Sequence, residues 1–233
     1  MVQRQFAPSR RAGLLTVAGL VLAGLALQAQ SSLPSDLFDA QFGAESEPVS
    51  GSGDPWPVPR DERSRRIMDE AAWVYSGMIW GFQFSYTPYD KLRGIPERFD
   101  LVSLGSLKTD DPRLTMGASR EDSTGSIAFV RYSPIPEEEA RVLSYGAEPW
   151  RSSQGIGRAD YLLGSSGHRA AYEDGLRVAV RSLLQLLEPN KPRLVRGRVV
   201  FERVPTMGLI DGFYTSQVRV RVEVSEILRY EVY

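Results

Sequence analysis

The sequence predicts an α+β protein, a mainly antiparallel sheet packed against one long C-terminal helix and one N-terminal helix. An apolar stripe at helical spacing (Tyr172, Leu176, Ala179, Val180, Leu183, Leu184, Leu187) marks a helix from Ser166 to Leu187. Strict alternation marks two strands, one around Phe82, Phe84 and Tyr86 and one around Val218, Val220, Val222 and Val224. Helix and strand patterns do not alternate as βαβ units, which argues against a doubly wound nucleotide-binding sheet.

The amino terminus reads as an address. Arg4, Arg10 and Arg11 precede an almost wholly apolar run from Ala12 to Leu27, followed by small and polar residues. That layout predicts a secretory signal peptide over residues 1–29, cleaved after Ala29; Leu27, a large residue at the -3 position, leaves an uncleaved membrane anchor as the alternative. The run is 16 residues, short of the roughly 20 that span a bilayer as a helix, so no stable membrane span is expected after cleavage. Ser9 to Leu14 partly resembles a twin-arginine motif, but Gly13 stands where a large apolar residue is usual, and the arginines read as ordinary leader charge. Removal of three arginines and no acid leaves a formal charge of 25 minus 29, or -4. The expected location is the periplasm or the exterior.

Residues 30–60 are rich in Ser, Pro, Gly and acids without apolar periodicity, and read as a disordered linker. Its apolar cluster, Leu33, Leu37 and Phe38, reads as a frayed remnant. A single α+β domain is expected over 61–233. It opens with a helix over about 62–76, capped by Asp61 and stopped at Gly77, and continues as a strand from Trp80 to Thr87. Strand candidates follow at Phe99–Leu104, Leu114–Ala118 and Ser126–Tyr132, then a short helix from Pro136 to about Gly146. The long helix, stopped by Pro189, packs on strands Leu194–Val204 and Tyr214–Glu226, joined as a hairpin through Asp211-Gly212.

Chemistry is narrowed by what is missing. The 233 residues contain no Cys, which excludes disulfides, thiolate metal sites and a cysteine nucleophile, and a single His excludes His-rich metal centres. No metal or cofactor is expected. With Lys+Arg 28 against Asp+Glu 29, cations and acids interspersed, no nucleic-acid footprint stands out. His168 lies at the start of the long helix beside Ser165 and Ser166; the serines read as helix caps, and no catalytic residue is assigned. Gly155-Ile156-Gly157 reads as a loop or the start of a strand. Asp110, Asp111, Glu121 and Asp122 form a loop carboxylate cluster whose functional reading is glycan hydrolysis. Trp56 and Trp150-Arg151 are large aromatics in polar, Pro-flanked stretches, and Trp150 and Arg151 are the candidate partner-binding residues.

Gln154 to Gly157, Arg169 to Leu176, Val195 to Val200 and the strand from Val218 to Val224 together resemble the helix-plus-hairpin domain of bacterial envelope lipoproteins and of flagellar assembly protein T. The resemblance covers residues 154–226 and departs by lacking a lipidation cysteine. Residues 61–135, with Ser76 to Phe82 and Tyr86-Thr87-Pro88, resemble exported bacterial proteins. These resemblances imply a non-catalytic envelope or flagellum-associated component and carry over no functional residue. With an ordered core and no catalytic constellation, the expected role is binding other envelope or flagellar proteins through the linker, Trp150-Arg151 or an open sheet edge. The alternative is an envelope hydrolase using the loop carboxylates.

Overall fold

The computed structural model describes residues 33–47, 57–121, 125–188 and 190–230. The signal peptide, Trp56, Asp122 and Pro189 lie outside them. Elements follow in chain order: β1 (Asp39–Glu45), α1 (Arg60–Ile79), β2 (Phe82–Thr87), β3 (Arg98–Ser103), β4 (Leu114–Glu121), β5 (Gly125–Tyr132), α2 (Pro136–Ser144), β6 (Arg151–Asp160), α3 (Ser165–Leu187), β7 (Leu194–Phe201), β8 (Thr206–Ile210) and β9 (Phe213–Leu228). The α+β class and antiparallel pairing agree with the sequence reading. The single sheet does not: a three-stranded sheet runs β1-β5-β4, and a larger one runs β3-β2-β7-β9-β6 with β8 also on β9.

The strand within the expected linker is the main correction. β1 pairs with β5 from Asp39↔Arg131 to Glu45↔Gly125. Phe42 and Ala44 of β1 are buried, as is Phe38 just before it. Phe38 and Phe42 set their rings edge-on to Tyr75 of α1 at 5.6 and 5.8 Å. A few well-placed aromatic contacts thus order a segment whose composition is otherwise that of a linker.

Helix α1 lies between the two sheets because it is apolar on more than one side. Tyr75 meets the small sheet, its hydroxyl donating to the Val130 carbonyl at 2.6 Å. Trp73 meets Phe82 and Phe201 of the large one, with ring centroids 5.2 and 5.8 Å apart. The helix does not stop at Gly77. A Cβ there would come within 2.6 Å of Phe201 and 2.8 Å of Phe82, so the glycine is a packing position. Asp61 falls inside the first turn, after Pro59 at the cap. Trp80 caps the C-terminus of α1 instead of opening β2, and the chain turns at Gly81, φ 71°.

Helix α3 covers the large sheet with the stripe the spacing predicts, and Tyr172, Leu176, Ala179, Val180, Leu183 and Leu184 are buried. That burial contributes on the order of 10 kcal/mol before entropy. Gly155 and Gly157 lie inside β6, not in a loop. A Cβ on Gly157 would meet the Ala171 carbonyl oxygen and the Gly175 nitrogen, so only a glycine lets strand and helix backbones approach so closely. Two hydroxyls tie the layers: Ser216 donates to Ala171 O at 2.7 Å and Ser153 to Ala179 O at 2.8 Å.

The expected hairpin is present in more detail than the sequence allowed. Residues between β7 and β9 form their own strand, β8, which closes on β9 through Asp211 and Gly212, φ 52° and 77°, the paired left-handed conformation of a tight two-residue hairpin. β6 is an edge strand, bonded to β9 alone.

Gly157→Ala is therefore expected to destabilise the fold by about 2–3 kcal/mol through overpacking. Gly208→Ala, where a Cβ meets nothing within 4 Å, is expected to change stability little. Urea denaturation of the two variants checks the difference.

Candidate functional site

The first turn of α3 is built without a side-chain cap. Gly164, φ 58°, precedes it, and Ser165 and Ser166 are the first helical residues. Ser166 Oγ donates to the Leu163 carbonyl at 2.8 Å, so the expected serine capping does not occur and neither serine approaches His168 as a nucleophile would. One turn of helix instead aims His168 across the gap between the sheets.

There it meets two carboxylates that sequence reasoning missed. His168 Nδ1 lies 2.8 Å from Glu70 Oε2 on α1, and Nε2 lies 3.0 Å from Glu45 Oε1 at the end of β1. With a carboxylate on each nitrogen, both nitrogens donate and the ring is an imidazolium. Burial opposes that charge, but the hydrogen bonds and charges of Glu45 and Glu70 outweigh it and raise the pKa from 6.5 to about 10. Burial likewise raises Glu45, yet the His168 hydrogen bond and charge leave its carboxyl below the ordinary value.

Two tyrosines complete the cluster. Tyr172, one turn beyond His168, donates to Glu70 Oε1 at 2.6 Å, and burial and the Glu70 charge push its own pKa well up. Tyr214 sets its ring against the imidazole, centroids 4.6 Å apart. Only 3% exposed, Tyr214 directs its hydroxyl toward Glu45 without closing a well-formed hydrogen bond. Burial raises its pKa, with the Glu45 charge adding to the effect.

The cluster is a wall between two clefts. One, about 410 Å³, lies between α1 and α3 and includes Glu62, Arg65, Asp69, Trp73 and Arg169. Its charges are largely paired: Arg65 bonds Glu62 and Asp69, and Arg169 bonds Glu173 while lying 5.1 Å over the Trp73 ring. The other, about 610 Å³, runs between β1 and the segment Val204 to Leu209. No group of three or more His, Asp or Glu among the described residues is arranged to hold a metal ion. His168 itself offers no lone pair, since both nitrogens serve the carboxylates.

The residues singled out in the sequence are placed elsewhere. Trp150 is 9% exposed, not a free aromatic: it packs edge-on against Tyr145 at 4.7 Å, with Val200 in the same cluster and the Arg198 guanidinium 5.1 Å over its ring. Arg151 opens β6 and is exposed. Asp111 is held by Arg113 at 2.8 Å before β4, and Glu121, at the other end of β4, lies 2.9 Å from Arg60 and 3.4 Å from Arg63. Asp110 is exposed. These carboxylates do not face one another. The signals that could have located the site were the solitary imidazole and Glu70, an acid flanked by the apolar positions Ile67, Ala71 and Val74 of α1.

A protein-family model matches residues 27–230. The chain belongs to that family. All described elements, β1 to β9, fall within the matched span, so the small sheet is as much a part of the family unit as the helix-plus-hairpin. A protein of Treponema pallidum (strain Nichols), named as an uncharacterized protein, is 25% identical over 175 residues, covering 75% of this chain and 74% of that one. No solved structure matches.

The His168 cluster links pH to stability with a definite sign. The folded imidazole has its pKa at about 10 against 6.5 unfolded, so its contribution is complete below pH 6.5 and is lost as the pH rises through about 10. Glu45 acts oppositely: its share is present above 4.5 and is lost on acidification. His168→Gln is expected to lower stability by about 3 kcal/mol, since two partly buried carboxylates lose their cation. The parent is expected to decline in melting temperature between pH 6.5 and 10, and the variant to lose that decline. Equal slopes for parent and variant across that window would exclude the assignment.

Proposed function

We propose that this protein is an exported component of the bacterial cell envelope, periplasmic or outside the cell, that acts by binding another envelope or flagellar protein instead of turning over a substrate. The observation that carries this reading is the state of His168. A general base needs a free nitrogen near neutral pH; this imidazole has both nitrogens committed to Glu45 and Glu70 and its pKa raised to about 10. Among the described loop carboxylates the hydrolase alternative finds no geometric support, because Asp111 and Glu121 each answer to their own arginines at opposite ends of β4. Glycoside hydrolysis needs two carboxyl groups flanking one bond, at most about 10 Å apart across a cleft.

Two further features favour the reading. The leader at residues 1–29 has the charge and apolar layout of an export signal. The span 154–226, whose resemblance is to envelope and flagellar helix-plus-hairpin domains, folds as β6, α3, β7, β8 and β9.

Fractionation combined with crosslinking in living cells tests this. The expected result is a protein processed after residue 29, recovered with the envelope or periplasm, and crosslinked to one defined envelope protein. An unprocessed chain among soluble cytosolic proteins, or a processed chain that crosslinks to nothing, would contradict it.

A further inference from the structure

The larger cleft has a feature that ordinary pockets lack. Its lining includes six consecutive residues of β1, Ala40 to Glu45, and six consecutive residues of the β8 segment, Val204 to Leu209. The cleft also touches Gly125, Ser126 and Ile127 of the central strand β5, so it is the strand pairing, and not the run of lining residues alone, that identifies the open edges. Both edges are outer ones among the described residues: β1 pairs only with β5, and β8 only with β9.

The hydrogen-bond registers say which backbone groups face the groove. Tyr132 N–H donates to the Phe38 carbonyl, so the alternation of an antiparallel ladder commits Phe42 and Ala44 to β5 and turns Gln41 and Gly43 outward. On β8, the tight turn makes Ile210 and Phe213 the bonded closing pair, which turns Met207 and Leu209 outward. No described backbone group pairs with these four. At a rise of about 3.3 Å per residue, the four residues of β8 in the lining, Thr206 to Leu209, give a two-edged slot about 13 Å long.

We infer that this slot receives an extended segment of a partner protein, carrying a basic residue, as an added strand between β1 and β8, which would join the two sheets through one ladder. The inference rests on the binding role proposed above and names its mode. Main-chain bonds to both edges supply affinity, and the slot's side chains supply selectivity. Charge sets the chemistry of the occupant: the lining holds Glu45 and Glu70 and no Lys or Arg, so with His168 protonated the slot carries one net negative charge. A second observation points the same way. The Tyr214 hydroxyl, buried and without a hydrogen bond, borders the slot beside Glu45, the position where a donor or acceptor from an entering chain would complete it.

The test selects random linear peptides, displayed on phage, for binding to the whole protein. Expected winners alternate β-branched or aromatic residues with polar ones and contain Lys or Arg, and synthetic copies lose at least about tenfold in affinity when N-methylated at alternate residues. Leu209→Pro removes one outward N–H at a residue 57% exposed, where an edge strand tolerates proline, and Tyr214→Phe removes only the unbonded hydroxyl. Both variants should keep the parent's melting temperature and bind the peptides at least about tenfold more weakly. No enriched peptide, or peptides indifferent to N-methylation and to both variants, would overturn the inference. So would concentration-dependent self-association abolished by Leu209→Pro, which would assign the edge to a second copy of the chain. If the cellular crosslink to the envelope partner survives Leu209→Pro undiminished, the binding role stands and the slot is not its seat.

Discussion

Two carboxylates around one imidazolium hold three distant parts of the chain together. Glu45 ends β1, Glu70 lies midway along α1, and His168 begins α3. A cation in the first turn of a helix is badly placed by itself, because the helix presents its positive pole there. Glu45 and Glu70 answer both needs at once, pairing the ring and placing negative charge at that pole. Removing either side of the cluster leaves a charge partly stripped of water with nothing to face it, which is why such a group tolerates little change.

The position of β1 follows from that cluster and from the aromatic contacts of Phe38 and Phe42 with Tyr75. Helix α1 then acts as the shared core of the two sheets, Tyr75 serving one and Trp73 the other. Because β1 is fixed at its far end by Glu45, its outer edge lies opposite β8 with a slot between. Exposed strand edges invite unwanted pairing, and proteins usually cover or charge them. Here the unpaired edges of β1 and β8 line the same cleft within one molecule.

Much of this was legible in the sequence, and the failures share a cause. The α3 stripe and the valine alternation of β9 are long enough that periodicity alone placed them, and Asp211-Gly212 was legible as a turn, although it joins β8 and not β7 to β9. The rest depended on tertiary contacts that no local pattern encodes. β1 is short, and its Gly, Ala, Gln and Glu residues hide the two buried positions, Phe42 and Ala44, among linker-like neighbours. Gly155 and Gly157 read as a loop or the start of a strand, because the close approach they permit is made by a helix that follows later in the chain. For Trp150 the sequence left a partner surface and a cap on the core about equally open, because its covering, Tyr145 and Val200, comes from either side of it in sequence. His168 was singled out as the only imidazole, yet its function as a fixed cation could be recognised only once Glu45 and Glu70 were seen against it.

That single histidine makes the central claim directly measurable. Nitrogen NMR of the ring, followed through a pH titration of the folded protein, reads one imidazole without ambiguity of assignment. Both ring nitrogens should be protonated at neutral pH, with a titration midpoint near 10. A midpoint near the ordinary 6.5, or a neutral ring with one unprotonated nitrogen at neutral pH, would contradict the account.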